Sequence, residues 1–272
     1  MILLLLLTLL TPLSLADHSL AARANVQKAD VQTSATGIDA CVILLHGLAR
    51  TSHSMQKLAD ALEEEGFIAI NTTYPSRKHT VETLADTVLP AAMAKCEALG
   101  VSAIHFVTHS LGGILVRQHL AHHPMQLPGR AVFLAPPNQG SEVVDTLKAI
   151  PGYSFFNGPA GNQLGTDPQS VPRSLGAVNF ELGVIAGTRT FNPILSQMLP
   201  NPDDGKVSLY STRVDGMCAF MTVPRTHTFI MKNDFVIEQV IHYLSMGSFS
   251  AENAEHPACE YRDNTRSARP VN

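Results

Sequence analysis

Apolar positions along the chain come in two alternating rhythms. Residues 40–45 (A-C-V-I-L-L), 67–71, 104–107, 131–134 and 182–186 are short, mainly apolar runs bounded by turn residues. Runs of this length and make-up predict strands buried on both faces. Between them the spacing changes. Met55, Leu58, Ala59 and Leu62 fall at i, i+3, i+4 and i+7, and Val81, Leu84, Ala85 and Val88 share the inner face of a second periodic stretch. Both predict amphipathic helices. Ser52 or Ser54 caps the first, and Gly66 ends it in the C′ position. Thr80 opens the second, Pro90 is expected to kink it, and Gly100 closes it. A helical pattern continues over 114–121. A short helical turn follows at 194–199 and a strand at 207–211. A last helix spans 233–243, with Phe235, Val236, Ile237, Val240 and Ile241 on its buried face. Strand and helix in short alternation predict an α/β protein with a mostly parallel sheet and helices on both faces.

Length and charge narrow this picture. The chain has 272 residues and a net charge of -4. That size suits one α/β domain with insertions, and the charge leaves no basic footprint for nucleic acid. Residues 1–15 are almost wholly apolar, too short for a comfortable membrane span, and resemble the hydrophobic region of a secretory signal. Residues 1–24 are therefore read as a signal peptide or N-terminal hydrophobic segment, cleaved after Ala16 or Ala24 or kept as an anchor. Export to the periplasm or the exterior follows. Residues 25–38 read as a polar linker, 39–247 as the folded domain, and 248–272 as a loose polar tail. In an exported protein Cys218 and Cys259 could pair and tie the tail down, whereas Cys41 and Cys96, in core elements, are expected as buried thiols. Four cysteines allow three full pairings, and none of them has metal-site spacing.

The candidate chemistry centres on 104–116, I-H-F-V-T-H-S-L-G-G-I-L-V. A strand that turns sharply into a helix around one serine lifts the Ser110 hydroxyl off the sheet. It also aims the N–H groups at the helix start toward the same spot. Gly112 leaves room for close backbone approach. The segment Thr108-His109-Ser110-Leu111-Gly112 resembles the G-x-S-x-G motif of the α/β-hydrolases, the lipase and esterase branch in particular, with threonine in place of the first glycine.

The resemblance spans about residues 40–244 and makes residues 39–247 an α/β-hydrolase domain. It implies that the strand ending in His46-Gly47-Leu48 supplies half of an oxyanion hole through the backbone N–H of Leu48, with the N–H of Leu111 as the other donor. The segment Ala135-Pro136-Pro137-Asn138-Gln139-Gly140-Ser141 is similar to the point where lipases leave the sheet to build a cap. Residues 141–177, with Tyr153, Phe155, Phe156, Leu164 and Leu175, are then a small lid-like insertion over an acyl pocket. In the family's order of serine, acid and histidine, Asp204 before Gly205 matches the acid, with Asp203 and Asp215 as alternatives. His227, in the loop before the last helix, matches the general base. His53 and His79 could line a nearby loop, and the other histidines read as structural. The implied reaction is hydrolysis of a carboxylic ester, from a lipid or small molecule, through an acyl-enzyme. It needs no cofactor and allows transient contact with a membrane surface. An acyltransferase, a lipid deacylase or amidase, and a non-catalytic binding protein on the same fold remain open alternatives.

Overall fold

The computed structural model describes residues 39–191, 193–200, 202–259 and 261. The N-terminal hydrophobic segment, the linker and most of residues 260–272 lie outside the described residues. Six strands form one parallel sheet: β1 (Ala40–Leu45), β2 (Ile68–Thr72), β3 (Ala103–His109), β4 (Arg130–Leu134), β5 (Glu181–Gly187) and β6 (Ala219–Val223). Their order is β2-β1-β3-β4-β5-β6. The chain steps from β1 outward to β2, then crosses back to place β3 on the other side of β1. The reversal opens a crevice at the carboxyl ends of β1 and β3, where ligands bind in open α/β sheets.

Every residue of β1 is buried. Cys41, Ile43 and Leu45 point into one apolar layer, with helix α2 (Val81–Glu97) and helix α3 (Leu111–His122). Ala40, Val42 and Leu44 point into the other, with helix α1 (Gln56–Glu64) and the last helix (Asp234–Met246). A two-residue period with both faces apolar is what a central parallel strand requires. Each fully buried Leu or Ile contributes about 1.5–3 kcal/mol relative to exposure.

Several local expectations change. Neither Ser52 nor Ser54 caps α1. They lie in a 3₁₀ turn, Ser52–Met55, that leads into it, and the Ser54 hydroxyl donates to Thr51 O at 2.8 Å. Gly66 does take the left-handed conformation behind α1, at φ 89°. The Thr80 hydroxyl caps α2 by accepting from Thr83 N. α2 then runs through Pro90 as a single helix. Pro90 is on the exposed side, so the carbonyl it leaves unpaired can be hydrated.

Between β4 and β5 the chain forms three short helices, α4 (Glu142–Lys148), α5 (Tyr153–Asn162) and α6 (Val171–Ser174). After β5 comes α7 (Pro193–Ser196). The strand expected at 207–211 is instead one antiparallel bridge, Asp203 to Ser208, followed by helix α8 (Leu209–Thr212). The Ser208 hydroxyl caps α8 by accepting from Ser211 N, which commits this stretch to a turn. The sheet's sixth strand lies further on, at β6.

The last helix, α9, begins where Asn233 accepts from Val236 N. Its buried face is Val236, Ile237, Gln239, Val240, Tyr243 and Leu244, while Phe235 is exposed and Ile241 half-buried. The beginning of the expected loose tail is docked. Phe249 is buried against Tyr243, Gln239 holds the N–H groups of Ser250 and Ala251, and Glu255 pairs its backbone with Phe220. Cys218 and Cys259 form a disulfide. Cys41 and Cys96 are also a disulfide rather than buried thiols, because packing of α2 on β1 brings their Cα atoms to 5.7 Å. Among the described residues no helix is long and apolar enough to cross a membrane.

Candidate active site

β3 ends at His109, and Ser110 then adopts φ 53°, ψ -118° before α3 begins at Leu111. Positive φ in a non-glycine residue is strained and persists only when its surroundings dictate it. Here they do. Ser110 N donates to Leu134 O of β4 at 2.9 Å, and Ser110 O accepts from Gly113 N at 3.0 Å. Only two other described non-glycine residues have positive φ, Ala49 and Ala135. They follow β1 and β4, so all three strained positions ring the same end of the sheet.

Two glycines set the spacing of that end. A Cβ on Gly112 would come within 2.7 Å of Leu45 O, so glycine is what lets α3 close onto β1 and bring the turn after β1 beside Ser110. Gly113 explains how threonine is tolerated at the motif's first position. Its absent Cβ would lie 3.2 Å from Thr108 Oγ1 and 3.0 Å from the Phe133 ring, so the second glycine makes room for the threonine.

The elements converge on one hydrogen-bonded line. His227 Nε2 accepts from Ser110 Oγ at 3.0 Å, and His227 Nδ1 donates to Asp204 Oδ2 at 2.7 Å. Asp204 Oδ1 accepts from the N–H groups of Lys206 and Val207, which holds the carboxylate in place. The backbone adds a further tie, His227 N to Asp204 O at 3.0 Å. All three side chains are buried or nearly so. Asp203 points elsewhere. Its carboxylate accepts from Gly205 N at 2.7 Å and from the Ser196 hydroxyl at 2.5 Å, which builds the turn that Asp204 projects from. Asp215 is exposed and contributes its backbone carbonyl to Val178.

Leu48 and Leu111 flank Ser110. Leu111 is the first residue of α3, whose N–H is among those that a helix start leaves unpaired, at the positive end of the dipole. Leu48 lines the cleft, and its N–H makes no backbone hydrogen bond in the turn. That turn is braced from behind. Tyr74 N donates to His46 Nε2, His46 Nδ1 donates to Gly47 O at 2.8 Å, the Tyr74 hydroxyl donates to His46 O, and the two rings stack 4.0 Å apart. Burial pushes the His46 pKa down, consistent with the neutral ring these bonds require.

His109 belongs to the site, although the sequence motif shows it only as the residue before the serine. Its Nε2 donates to His227 O at 2.9 Å. The rings lie 4.8 Å apart, and Gly47 is small enough to let the His109 ring sit beneath it. Burial, then the neighbouring His227, holds its pKa well below the ordinary value, so it is a neutral brace. Arg117, in α3, is a second residue that helical periodicity does not disclose. It is buried, and it donates to Asn138 O, Asn138 Oδ1 and Gly176 O. It thereby ties α3 to the loop leaving β4. His53 lines a hollow next to the cleft, and His79 contributes its carbonyl to Ala160 N. Neither ring bonds to Ser110 or Asp204.

A cleft of about 300 Å³ opens over Ser110 and His227. Its walls include Val143, Val144 and Leu147 of α4 and Tyr153 and Phe156 of α5, so the insertion covers one side. A larger cavity, about 550 Å³, lies at the opposite end of the strands, beside Ala40, Ala103 and Arg130, with no serine bonded to an imidazole. One group of described side chains could hold a metal ion, Asp86, His119 and His123, with ligand atoms within 4.8 Å of one another. It sits on α2 and the far end of α3, and His119 is about 13 Å along the helix from Ser110 at roughly 1.5 Å per residue.

No protein-family model matches the chain, and no curated protein matches it in sequence. Solved structures do. The mature lipase BlEst2 of Bacillus licheniformis superposes with a TM-score of 0.61 at 17% identity, over 75% of this chain and 91% of that one. Phospholipase PlaB of Legionella pneumophila, in complex with thio-NAD, gives 0.58 at 16% identity, over 76% of this chain and 58% of that one. A structure of the metagenome-derived lipolytic enzymes LipS and LipT gives 0.53 at 13% identity, over 77% and 95%. Such low identity speaks for architecture alone, and the architecture it shows is the α/β-hydrolase fold.

Proposed function

We propose that the protein is a serine hydrolase that cleaves carboxylic esters through an acyl-enzyme. The observation that carries this is the position of the His227 imidazole, bonded on one side to Asp204 and on the other to Ser110 Oγ. In this reading Ser110 Oγ attacks the ester carbonyl carbon while His227 Nε2 takes its proton. Asp204 holds the tautomer and stabilises the imidazolium. The oxyanion forms against the N–H groups of Leu48 and Leu111, and two such donors lower the barrier by a few kcal/mol. His227 returns its proton to the leaving alcohol as the C–O bond breaks. Water then attacks the acyl carbon by the same route and releases the acid and free Ser110.

Hydrolysis of nitrophenyl esters from short to long acyl, with Ser110→Ala beside the wild type, tests the reading. Activity that vanishes in the variant is expected. Activity that survives, or none in the wild type on any ester, overturns it. An apolar cleft wall, together with Phe155 and Phe156 exposed at 85% and 68%, supports lipid-like acyl chains and contact with an amphiphile surface. Residues 141–177 are read as a lid on the same grounds. The two disulfides support export, because such bonds persist in oxidising compartments.

A further inference from the structure

Three cations enter the cleft from three separate segments: Arg50 from the turn after β1, Arg77 from the loop after β2, and Lys206 from the turn after Asp204. No carboxylate lines the cleft with them. Among the described residues none of the three forms an ion pair, whereas Lys57, Arg130, Lys148 and Arg213 each do. Asp204, two residues before Lys206, is engaged by His227 and two backbone N–H groups. Arg77 lends one N–H to Phe156 O at 3.4 Å, which leaves the rest of its fork open. All three are exposed, so water solvates them in the free protein, and in a chain with a net charge of -4 their shared place on one cleft gives that cleft a positive lining. Partial desolvation and then the nearby Arg50 hold the Lys206 ammonium below its usual value, against the pull of Asp204.

We propose that Arg50, Arg77 and Lys206 form a receptor for an oxyanion carried by the substrate, a phosphate or carboxylate, so that the enzyme's ester is an anionic amphiphile. Val143, Val144, Leu147 and Leu164 offer apolar lining to the acyl chain, and the three cations offer positive lining to the charged group. Two arginines suit this role because each offers a planar fork of donors that a tetrahedral or planar oxyanion can accept in pairs. The inference rests on the reading of Ser110 as the nucleophile.

The test uses three monoacyl esters of one short acyl chain: a glycerol ester, a glycerol phosphate ester, and an ester of a hydroxycarboxylic acid. The readout is the ratio of kcat/KM on each anionic ester to that on the neutral one. The wild type is expected to favour an anionic ester, and the preferred arm identifies phosphate or carboxylate. Arg50→Gln, Arg77→Gln and Lys206→Gln should each cut that ratio roughly tenfold, the worth of one charge-assisted hydrogen bond. Arg77→Lys should restore part of it, and added salt should lower the wild-type ratio. A wild-type ratio of one or less, or a ratio untouched by the three variants, overturns the proposal. Thermal unfolding of each variant checks that a lost ratio is not lost fold. Binding of the non-hydrolysed monoacyl glycerol phosphate to Ser110→Ala separates the two readings. If the wild type cleaves nothing yet the ligand binds and Arg77→Gln releases it, the hydrolase reading fails and the receptor stands.

Discussion

Asp203 and Asp204 are adjacent, chemically identical and both buried, yet their carboxylates do different work. Asp203 closes an Asx turn on Gly205, whose φ of 94° suits glycine. Asp204 leaves that turn toward His227. The two can be separated by experiment. Asp204→Asn keeps the shape but favours the wrong imidazole tautomer, and is expected to lower kcat about 10³–10⁴-fold with little change in Tm. Asp203→Asn is expected to cost about 1–2 kcal/mol of stability by weakening the turn, with a much smaller effect on kcat. Steady-state kinetics beside thermal unfolding reads both. Equal losses of kcat in the two variants would contradict the separation.

At the scale of elements, the site depends on how closely α3 approaches β1. Gly112→Val would place side-chain atoms where Leu45 O and Leu45 Cβ already sit within 3 Å of the missing Cβ. The expected result is a loss of about 2–4 kcal/mol or failure to fold, because backbone cannot yield as a flexible side chain can. Gly100→Ala is the control: nothing lies within 4 Å of its Cβ position, and only the strain of φ 71° is left. Its cost should be about 1 kcal/mol, read by denaturant unfolding. The insertion behaves as an element of its own. Gln163 accepts from Val81 N, Ala160 N donates to His79 O, and α4 and α5 wall the cleft. Replacing Phe156 by serine is expected to shift the preferred acyl length without removing activity on short esters. An unchanged length profile would deny the insertion a role in acyl selection.

Two properties belong to the whole molecule. The disulfides join segments 55 and 41 residues apart. Reduction, or the double change Cys41→Ala with Cys96→Ala, is expected to remove about 2–4 kcal/mol by freeing a long loop in the unfolded chain. The fall in Tm with reductant measures it. Stability should also depend on pH through buried neutral imidazoles. Burial, and then Arg130, lowers the His105 pKa from 6.5 to about 4, and burial also lowers those of His46, His109 and His119. A ring that resists protonation only when folded lets the unfolded state bind more protons below pH 6.5. Its contribution is therefore complete above 6.5 and is lost as pH falls toward 4. For His105 the span is on the order of 3 kcal/mol. Its Nδ1 accepts from Arg130 N, so His105→Asn should destabilise at neutral pH yet flatten the slope between pH 6.5 and 4. A slope equal to that of the wild type would assign the acid sensitivity to other groups.

Alternating apolar runs and helical stripes are properties of neighbouring residues, and they alone determined the strands β1 to β5, the helices α1, α2, α3 and α9, and hence a parallel α/β sheet. Ser110, with its turn and its glycine, was legible for the same reason, since a strand-to-helix elbow is a local event. Local pattern failed where a distant partner decides. Residues 207–211 carry apolar residues that would suit a strand, but the Ser208 cap and the demands of the Asp203 turn made them a bridge and a helix. Cys41 and Cys96 look like core thiols until α2 lies on β1. The tail looks loose until Phe249 meets Tyr243 beside Gly183, which has no Cβ to block them. The separate work of the Asp203 carboxylate, the neutral brace at His109 and the gathering of Arg50, Arg77 and Lys206 are likewise tertiary. Each depends on distances between segments far apart in the chain, which periodicity, having a reach of only a few residues, does not encode.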